Sequence, residues 1–365
     1  MYIKYSIIIT FYQNINMLSA CLQNLLCSLK DNSEVEIIII NDNPAISLDA
    51  CLKGFGRDVP ILLVNNTFNI GYSAACNKGA NLSSGSYLIF LDCDIIVTPN
   101  WLTELENTMA LSKNCGAVAS TILDMANNQI VYAGMFLYCA DTIKPFQGGY
   151  IENPYTSNDH MSEIVTSGCM MLSKEYFNAV GGFDEKLYNS CCDLDLSMKL
   201  NTHSLHNYIS SNSIVYHRGN VSGEIRFTSH IQARTHFFMT WGNIQNQESG
   251  LEVLRTLYGY ASVEKGEYLV IDMSVSLYSM NYIDCFTELH HISKIDIYKL
   301  HVSTLGHPII LSDYLSWDIC SLRIPILYFA DDYRNILGNH LWFRNRANQH
   351  DFIVDKNGNV YKINS

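Results

Sequence analysis

Residues 87–97 read YLIFLDCDIIV, an apolar run interrupted by two carboxylates, Asp92 and Asp94, on either side of Cys93. On an extended strand residues two apart face the same side, so both acids would point together while Cys93 packs away from them. Two unpaired carboxylates on one buried face are strongly unfavourable or must protonate, and a divalent cation with oxygen-rich coordination removes that penalty. Read alone, the pair is explained more simply by a strand ending at Leu91 with two solvated residues beyond it.

Other residues could take part in chemistry. Asp193 and Asp195 stand just before LSMKL, where an acid also serves as a helix cap or complements the helix dipole. His217 follows SIVY, a position open to a metal ligand or to an ordinary structural histidine. Asn69, Gly71, Asn77 and Lys78 lie in NNTFNIGYSAACNKGANL (65–82). There Gly71 would permit close backbone approach by a ligand, while Ser73, Ala74 and Ala75 equally suit helix packing.

The elements that must position these residues follow from hydrophobic periodicity. SIIITFY (6–12), VEIIIIND (35–42), ILLVNN (61–66) and YLIFLD read as strands. Between them, 16–29, 73–82 and 100–111 carry helical spacing, with Asn100 placed to cap the last. Strand and helix alternate four times, the pattern of a parallel α/β sheet, which binds ligands beyond the carboxyl ends of its strands. Thr10, Asp42 and Asp92 stand at three of those ends. Further strands are expected in GAVAST and IVYAGMFLY, and a helix over 232–241. The segment NIQNQESG (243–250) has loop composition and marks the expected boundary between domains 1–245 and 246–365. The second part carries apolar runs YLVID, PIILS and IPILYFA, and FIVDKNGNVYKI reads as a hairpin about Asn-Gly.

The chain has 365 residues and a formal charge of −12, which argues against a general nucleic-acid binder because phosphate contacts need clustered Lys and Arg. Its 12 cysteines form no CxxC pair and mostly sit among apolar neighbours, as buried thiols of a reducing compartment do. No apolar run approaches the ~20 residues of a membrane span. MYIKYSIIITFY lacks the long apolar core and cleavage site of a signal peptide. A cytoplasmic chain, soluble or peripheral at the inner face of the membrane, is therefore expected.

NNTFNIGYSAACNKGANLSSGSYLIFLDCD, then GGFDEKLYNSCCDLDL, then VYHRGNVSG follow one another in the order and at the separations of a known family. About residues 4 to 242 resemble the inverting, family 2 glycosyltransferases of the GT-A fold. The resemblance implies a Rossmann-like, mostly parallel sheet flanked by helices, followed here by a smaller C-terminal α/β region. It implies a divalent metal, Mn2+ or Mg2+, and a nucleotide-diphosphate sugar donor, a UDP-sugar first among them. The sugar would go to a hydroxyl of a glycan or lipid-linked saccharide in polysaccharide or oligosaccharide assembly. Thr10, Tyr12 and Asp42 fall where the family meets the nucleoside, and Asn69, Gly71, Asn77 and Lys78 in its donor loop. Asp92 and Asp94 match the DxD, with Asp94 the direct metal ligand and Asp92 nearer the ribose or the metal's waters. Asp193 matches the general base, and His217 the late histidine of the metal or diphosphate site. Gly181 and Gly182 match a turn lining the acceptor cleft.

Two positions depart from the family. Its Asp-Asp-Gly-Ser appears as Asn41-Asp42-Asn43-Pro44, and the Glu before the base is Cys192. That second loss sustains a competing reading, a non-catalytic sugar-nucleotide or glycan-binding module on the same fold. A nucleotidyltransferase is disfavoured because a basic, glycine-rich phosphate loop is missing near Thr10. The C-terminal domain is expected to serve acceptor recognition or homo-oligomerisation.

Overall fold

The computed structural model describes residues 2–29, 33–55, 59–111, 113–138, 142–145, 158–218, 260–274, 279–300, 322–330 and 351–363, with scattered positions in 232–241 and 309–350. The chain opens with β1 (Tyr5–Phe11), α1 (Ile15–Ser28), β2 (Val35–Asn41), a one-turn α2 (Asp49–Leu52), β3 (Ile61–Asn65), α3 (Tyr72–Leu82) and β4 (Tyr87–Leu91). Ile37 to Ile40 are all fully buried, as expected of a parallel strand covered by helices on both faces. Each such side chain contributes about 1.5–3 kcal/mol. In α1 the spacing of Leu18, Cys21, Leu22 and Leu25 buries one face, and Asn14 caps its start by accepting from Met17 N at 3.3 Å.

Next come β5 (Ile95–Val97), α4 (Trp101–Ala110), β6 (Cys115–Asp124), β7 (Ile130–Tyr132), β8 (Met135–Tyr138), β9 (Thr142–Pro145) and β10 (His160–Ser162). They are followed by β11 (Cys169–Ser173), α5 (Lys174–Ala179), α6 (Cys192–Thr202) and β12 (His206–His217). The large sheet runs β10-β12-β6-β11-β4-β1-β2-β3, with β5 added to β12 and β7 to β6. The pairs β1–β2, β2–β3, β1–β4 and β6–β12 are parallel, while β11 runs antiparallel between β4 and β6.

Several expectations are modified. The strand read over YLIFLD stops at Leu91, and Asp92–Asp94 form the turn into β5, which pairs with β12. Cys93 nonetheless packs against the main apolar core. Asn100 does precede α4, but its side chain makes no capping bond; its backbone takes the left-handed conformation (φ 65°) that asparagine tolerates. IVYAGMFLY splits into β7 and β8 at Gly134 (φ 100°). Gln232, Ala233, His236, Phe237, Thr240 and Trp241 carry helical backbone, and Ala233, Phe237 and Trp241 enter the main core. The expected boundary at 243–250 lies outside the described residues.

A second sheet follows the order β14-β13-β15-β16-β17, from β13 (Glu267–Asp272), β14 (Ser293–Lys299), β15 (Ile326–Ala330), β16 (Phe352–Asp355) and β17 (Val360–Lys362). Helix α7 (Ser279–Leu289) joins β13 to β14. The Asn-Gly hairpin forms between β16 and β17, where Gly358 takes φ 81° and Asp355 accepts from Asn357 N and Asn359 N at 2.8 and 2.9 Å. At the end of the apolar run PIILS, Leu311–Asp313 is a 3-10 turn, and Asn339 ties Leu311 N at 2.7 Å. The two sheets share one apolar cluster, in which Leu123, Ile130, Ala133 and Met161 meet Leu269, Ile271 and Tyr328.

Arg346 is 3% exposed and spans Asp351 (Nε to Oδ2, 2.6 Å) and the carbonyls of Ile319, Leu322 and Ile324. Truncating it leaves Asp351 buried without its counter-charge. Arg346→Ala should therefore cost about 3–5 kcal/mol in urea unfolding of the C-terminal part. An unchanged midpoint would show that the pair adds nothing.

Candidate active site

Strand register assembles the site. Leu91, the last residue of β4, pairs with Cys169, so Gly168 comes beside Asp92 and its carbonyl accepts Asp92 N at 2.9 Å. His217 ends β12 opposite Ile95 of β5, which brings its Nε2 to 3.2 Å from Asp94 Oδ2. Helix α6 starts at Cys192, so Asp193 stands in its first turn facing the loop before β11. There Asp193 Oδ2 accepts from Thr166 Oγ1 (3.0 Å) and Ser167 N (3.3 Å), and Oδ1 from Leu194 N (3.0 Å).

Asp92, Asp94 and Asp193 are each half-buried, and Asp92 lies within the field of both others although Asp193 is about a hundred residues away in sequence, so the three form one acidic hollow. Desolvation, then the charges of Asp94 and Asp193, push Asp92 up to about 7, against a hydrogen bond from Tyr72 and the field of His217. Asp193 is also raised, by desolvation, with its three hydrogen bonds opposing. Tyr72 Oη also lies 2.9 Å from Ser167 Oγ, a hydroxyl pair that links α3 to the same loop.

Asp42 lies next to this hollow. It is 5% exposed at the end of β2 and accepts from Asn66 Nδ2 (2.8 Å), Ile70 N (2.9 Å) and Gly71 N (2.9 Å). Its carboxylate therefore shapes the donor loop itself. Asn69 Oδ1 accepts from Gly71 N (2.9 Å) and from Tyr188 Oη (2.8 Å). Gly71 (φ 86°) is required for a reason other than ligand approach: a Cβ there would lie 2.4 Å from the Tyr188 ring. Asn77 holds Phe183 N and O (3.0 and 2.9 Å) and Glu185, and Lys78 donates to Asn66 Oδ1 at 2.6 Å. Both side chains brace loops and stand outside the acidic hollow's hydrogen bonds. Gly182 (φ 67°) turns where a Cβ would meet Asn77 Oδ1 at 2.8 Å. Thr10, the last residue but one of β1, is half-buried, and Tyr12 is exposed, its carbonyl accepting Asn43 Nδ2 at 2.8 Å.

The start of α3 is closed to anions. Gly71 N is taken by Asp42 and Asn69, Tyr72 N by Asn189 Oδ1 (2.7 Å) and Ser73 N by Tyr188 O (3.0 Å). A diphosphate would have to displace these partners to dock there as it does on an open helix N-terminus. The residues suited to a cation are Asp94 with His217, and Asp92 beside them; among the described residues no three His, Cys, Asp or Glu side chains form a ready cage. Carboxylate and imidazole donors with open positions fit a divalent ion that completes its shell with ligand oxygens and water.

Cys192 is 4% exposed and lies with Ser73 and Cys76 in the α3–α6 contact, where burial raises its thiol. Asp195, read as a helix cap, instead bonds Trp241 Nε1 (2.8 Å) and pairs with Lys199 (2.7 Å). Tyr72, Thr166, Ser167 and Tyr188 were not singled out by sequence reasoning, because their contacts depend on loops brought together from distant segments. The one local signal was Thr166-Ser167-Gly168, a small polar triplet ahead of the apolar CMML.

Residues 6–180 match the family model for glycosyl transferase family 2. The O-antigen biosynthesis protein RfbC of Myxococcus xanthus is 26% identical over 225 residues, which are 60% of this chain and 18% of that protein. The uncharacterized glycosyltransferase YibD of Escherichia coli K12 is 32% identical over 108 residues, 30% of each chain. The crystal structure of GalNAc-T7 with UDP, GalNAc and Mn2+ superposes with a TM-score of 0.52 at 16% identity, over 66% of this chain and 48% of that one. The chain spans about a fifth of the length of the first curated relatives it matches. Over residues 6–180 the chain is thus similar to glycosyl transferase family 2, and its large sheet has the GT-A fold.

Because Asp92 binds its proton more tightly when folded, its ionisation opposes folding as pH rises from about 4 to about 7. Asp92→Asn should match the wild type in melting temperature near pH 4 and exceed it above pH 7, in buffer without divalent ions. A gap that does not change with pH would show that Asp92 titrates as an ordinary carboxylate.

Proposed function

We propose that this protein is a metal-dependent, inverting glycosyltransferase that moves a sugar from a nucleotide-diphosphate sugar to a hydroxyl of a glycan or lipid-linked acceptor. The observation that carries this reading is the convergence of Asp92, Asp94 and Asp193, with His217 as the opposing group, beside the Asp42 loop at the carboxyl edge of the sheet. A hollow so acidic, next to a helix start already filled by protein acceptors, repels a diphosphate unless a cation joins them. Asp94 and His217 would hold that cation, which when bound neutralises the departing diphosphate.

The chain's own groups then divide the work. Asp42 and the loop it organises, with Thr10 and Tyr12 nearby, receive the nucleoside; Asp92 faces the ribose or the cation's waters. Asp193 takes the proton of the acceptor hydroxyl as its oxygen attacks the anomeric carbon and the bond to the diphosphate breaks. Desolvation raises the Asp193 carboxyl, which brings it nearer the working pH of a general base. Attack from the side opposite the diphosphate inverts the anomeric centre. UDP-sugars are the first donors to test, and surface-polysaccharide assembly is the process that the name of the Myxococcus relative supports.

The competing reading, a non-catalytic binding module, rested on Cys192. Its thiol lies in packing against α3, so the substitution leaves Asp193 and its hydrogen bonds in place. Residues 246–365 are proposed as an accessory domain for acceptor recognition or self-association. Truncation is a poor test of that division, because it would uncover Leu123, Ile130, Ala133 and Met161.

With a panel of nucleotide sugars, Mn2+ and a saccharide acceptor, product is followed by mass spectrometry. Asp94→Ala and Asp193→Asn should each lower turnover by about 10²–10⁴-fold. Asp193→Asn should keep nucleotide binding in calorimetry, and Asp94→Ala should lose its metal dependence. Wild-type turnover in both variants would overturn the mechanism; nucleotide binding without transfer by the wild type would favour the binding module.

A further inference from the structure

Between β10 and β11 the triplet Thr166-Ser167-Gly168 touches both sides of the acidic hollow. Thr166 Oγ1 donates to Asp193 Oδ2 at 3.0 Å, and Ser167 N donates to the same oxygen at 3.3 Å. Gly168 O accepts Asp92 N at 2.9 Å, and Ser167 Oγ lies 2.9 Å from Tyr72 Oη. The direction of the threonine bond is settled by counting protons. Thr166 Oγ1 accepts Gly168 N at 3.4 Å and has one hydrogen of its own, which is left for the carboxylate.

The triplet is itself held from behind. Thr166 N donates to Tyr132 Oη at 2.8 Å, and Tyr132 Oη donates to Ile164 O at 3.2 Å. Ser197 Oγ accepts Val165 N at 3.0 Å and lies 2.8 Å from Asp193 O, so the backbone of the acid and the loop move as one body. Tyr132 is 7% exposed and Ser197 fully buried, so neither support is open to competition from water.

We propose that Thr166 is a positioning residue for the transfer reaction: its hydroxyl fixes the rotamer of Asp193 and, through the rigid 166–168 loop, the spacing between that carboxylate and Asp92. The inference rests on reading Asp193 as the base. Ser167 N and Leu194 N engage the carboxylate from fixed backbone, while Thr166 supplies its single side-chain donor among the described residues. Without that hydroxyl, Oδ2 keeps only the longer bond from Ser167 N and the carboxylate can rotate about its Cβ–Cγ bond. Misplacing a reacting group by an ångström costs about 10²-fold. The other titratable groups in the field of Asp193 are Asp92, Tyr132, Cys76 and Cys192.

The test compares Thr166→Val, which keeps shape and loses the donor, with Thr166→Ser, which keeps the donor. Thr166→Val should lower kcat by about 10- to 100-fold with the donor KM changed less than about twofold. Loss of a bond to the ionised carboxylate also disfavours that form, so the acidic limb of the kcat profile should move to higher pH. Thr166→Ser should restore both. If Thr166→Val does not fold, Thr166→Ala provides the same comparison. An unchanged kcat and limb in Val or Ala, or equal losses in Val and Ser, would overturn the positioning role while an inactive Asp193→Asn kept the base assignment standing. An active Asp193→Asn would overturn that assignment and this inference with it.

Discussion

The burial of Asp92 beside two further carboxylates is the constraint on which this structure turns. Desolvation, then the charges of Asp94 and Asp193, push Asp92 up to about 7. The fold holds them together because each is anchored by backbone that cannot yield. Asp92 is fixed between β4 and Gly168, Asp94 by the entry to β5 against β12, and Asp193 by the first turn of α6. The energy to do so comes from the apolar sheet behind, where Ile7, Ile9, Ile37, Ile39, Ile89 and Phe90 are excluded from water.

The glycines and asparagines around the hollow serve this same end. Asp42, Asn66, Asn69, Gly71 and Tyr188 knit the loop from β3 to α3 into a closed network, and Asn77 clamps the Phe183–Glu185 turn onto α3. Several residues expected as ligand contacts therefore also hold the scaffold. Lys78 is an example: a cation of α3 whose ammonium is held by Asn66. The second sheet is not a separate bead, since its core runs into that of β6 and β7.

Much of the first sheet was legible because its strands are short β-branched runs and its helices show one apolar face. The DxD turn was less so. The strand read over YLIFLD ends one residue sooner, at Leu91, and Ile95–Val97 pairs with β12, a partner more than a hundred residues away that no local pattern announces. PIILS shows the same weakness: an apolar stretch of that length serves a strand or a buried turn equally well. Asn100 shows another. Its type announced the helix start, but the left-handed backbone turned its side chain away from the free N–H groups.

From the chain's letters alone followed the alternation of strands and helices, the acids at strand ends and the order of motifs that marks the family. These are local properties, written in spacing and side-chain type. Only the tertiary structure decided that Asp193 and Asp92 share a field, that Thr166 and Tyr72 join them, and that Cys192 turns into packing. Those relations depend on strand register and loop closure between distant segments, which no short window of sequence specifies.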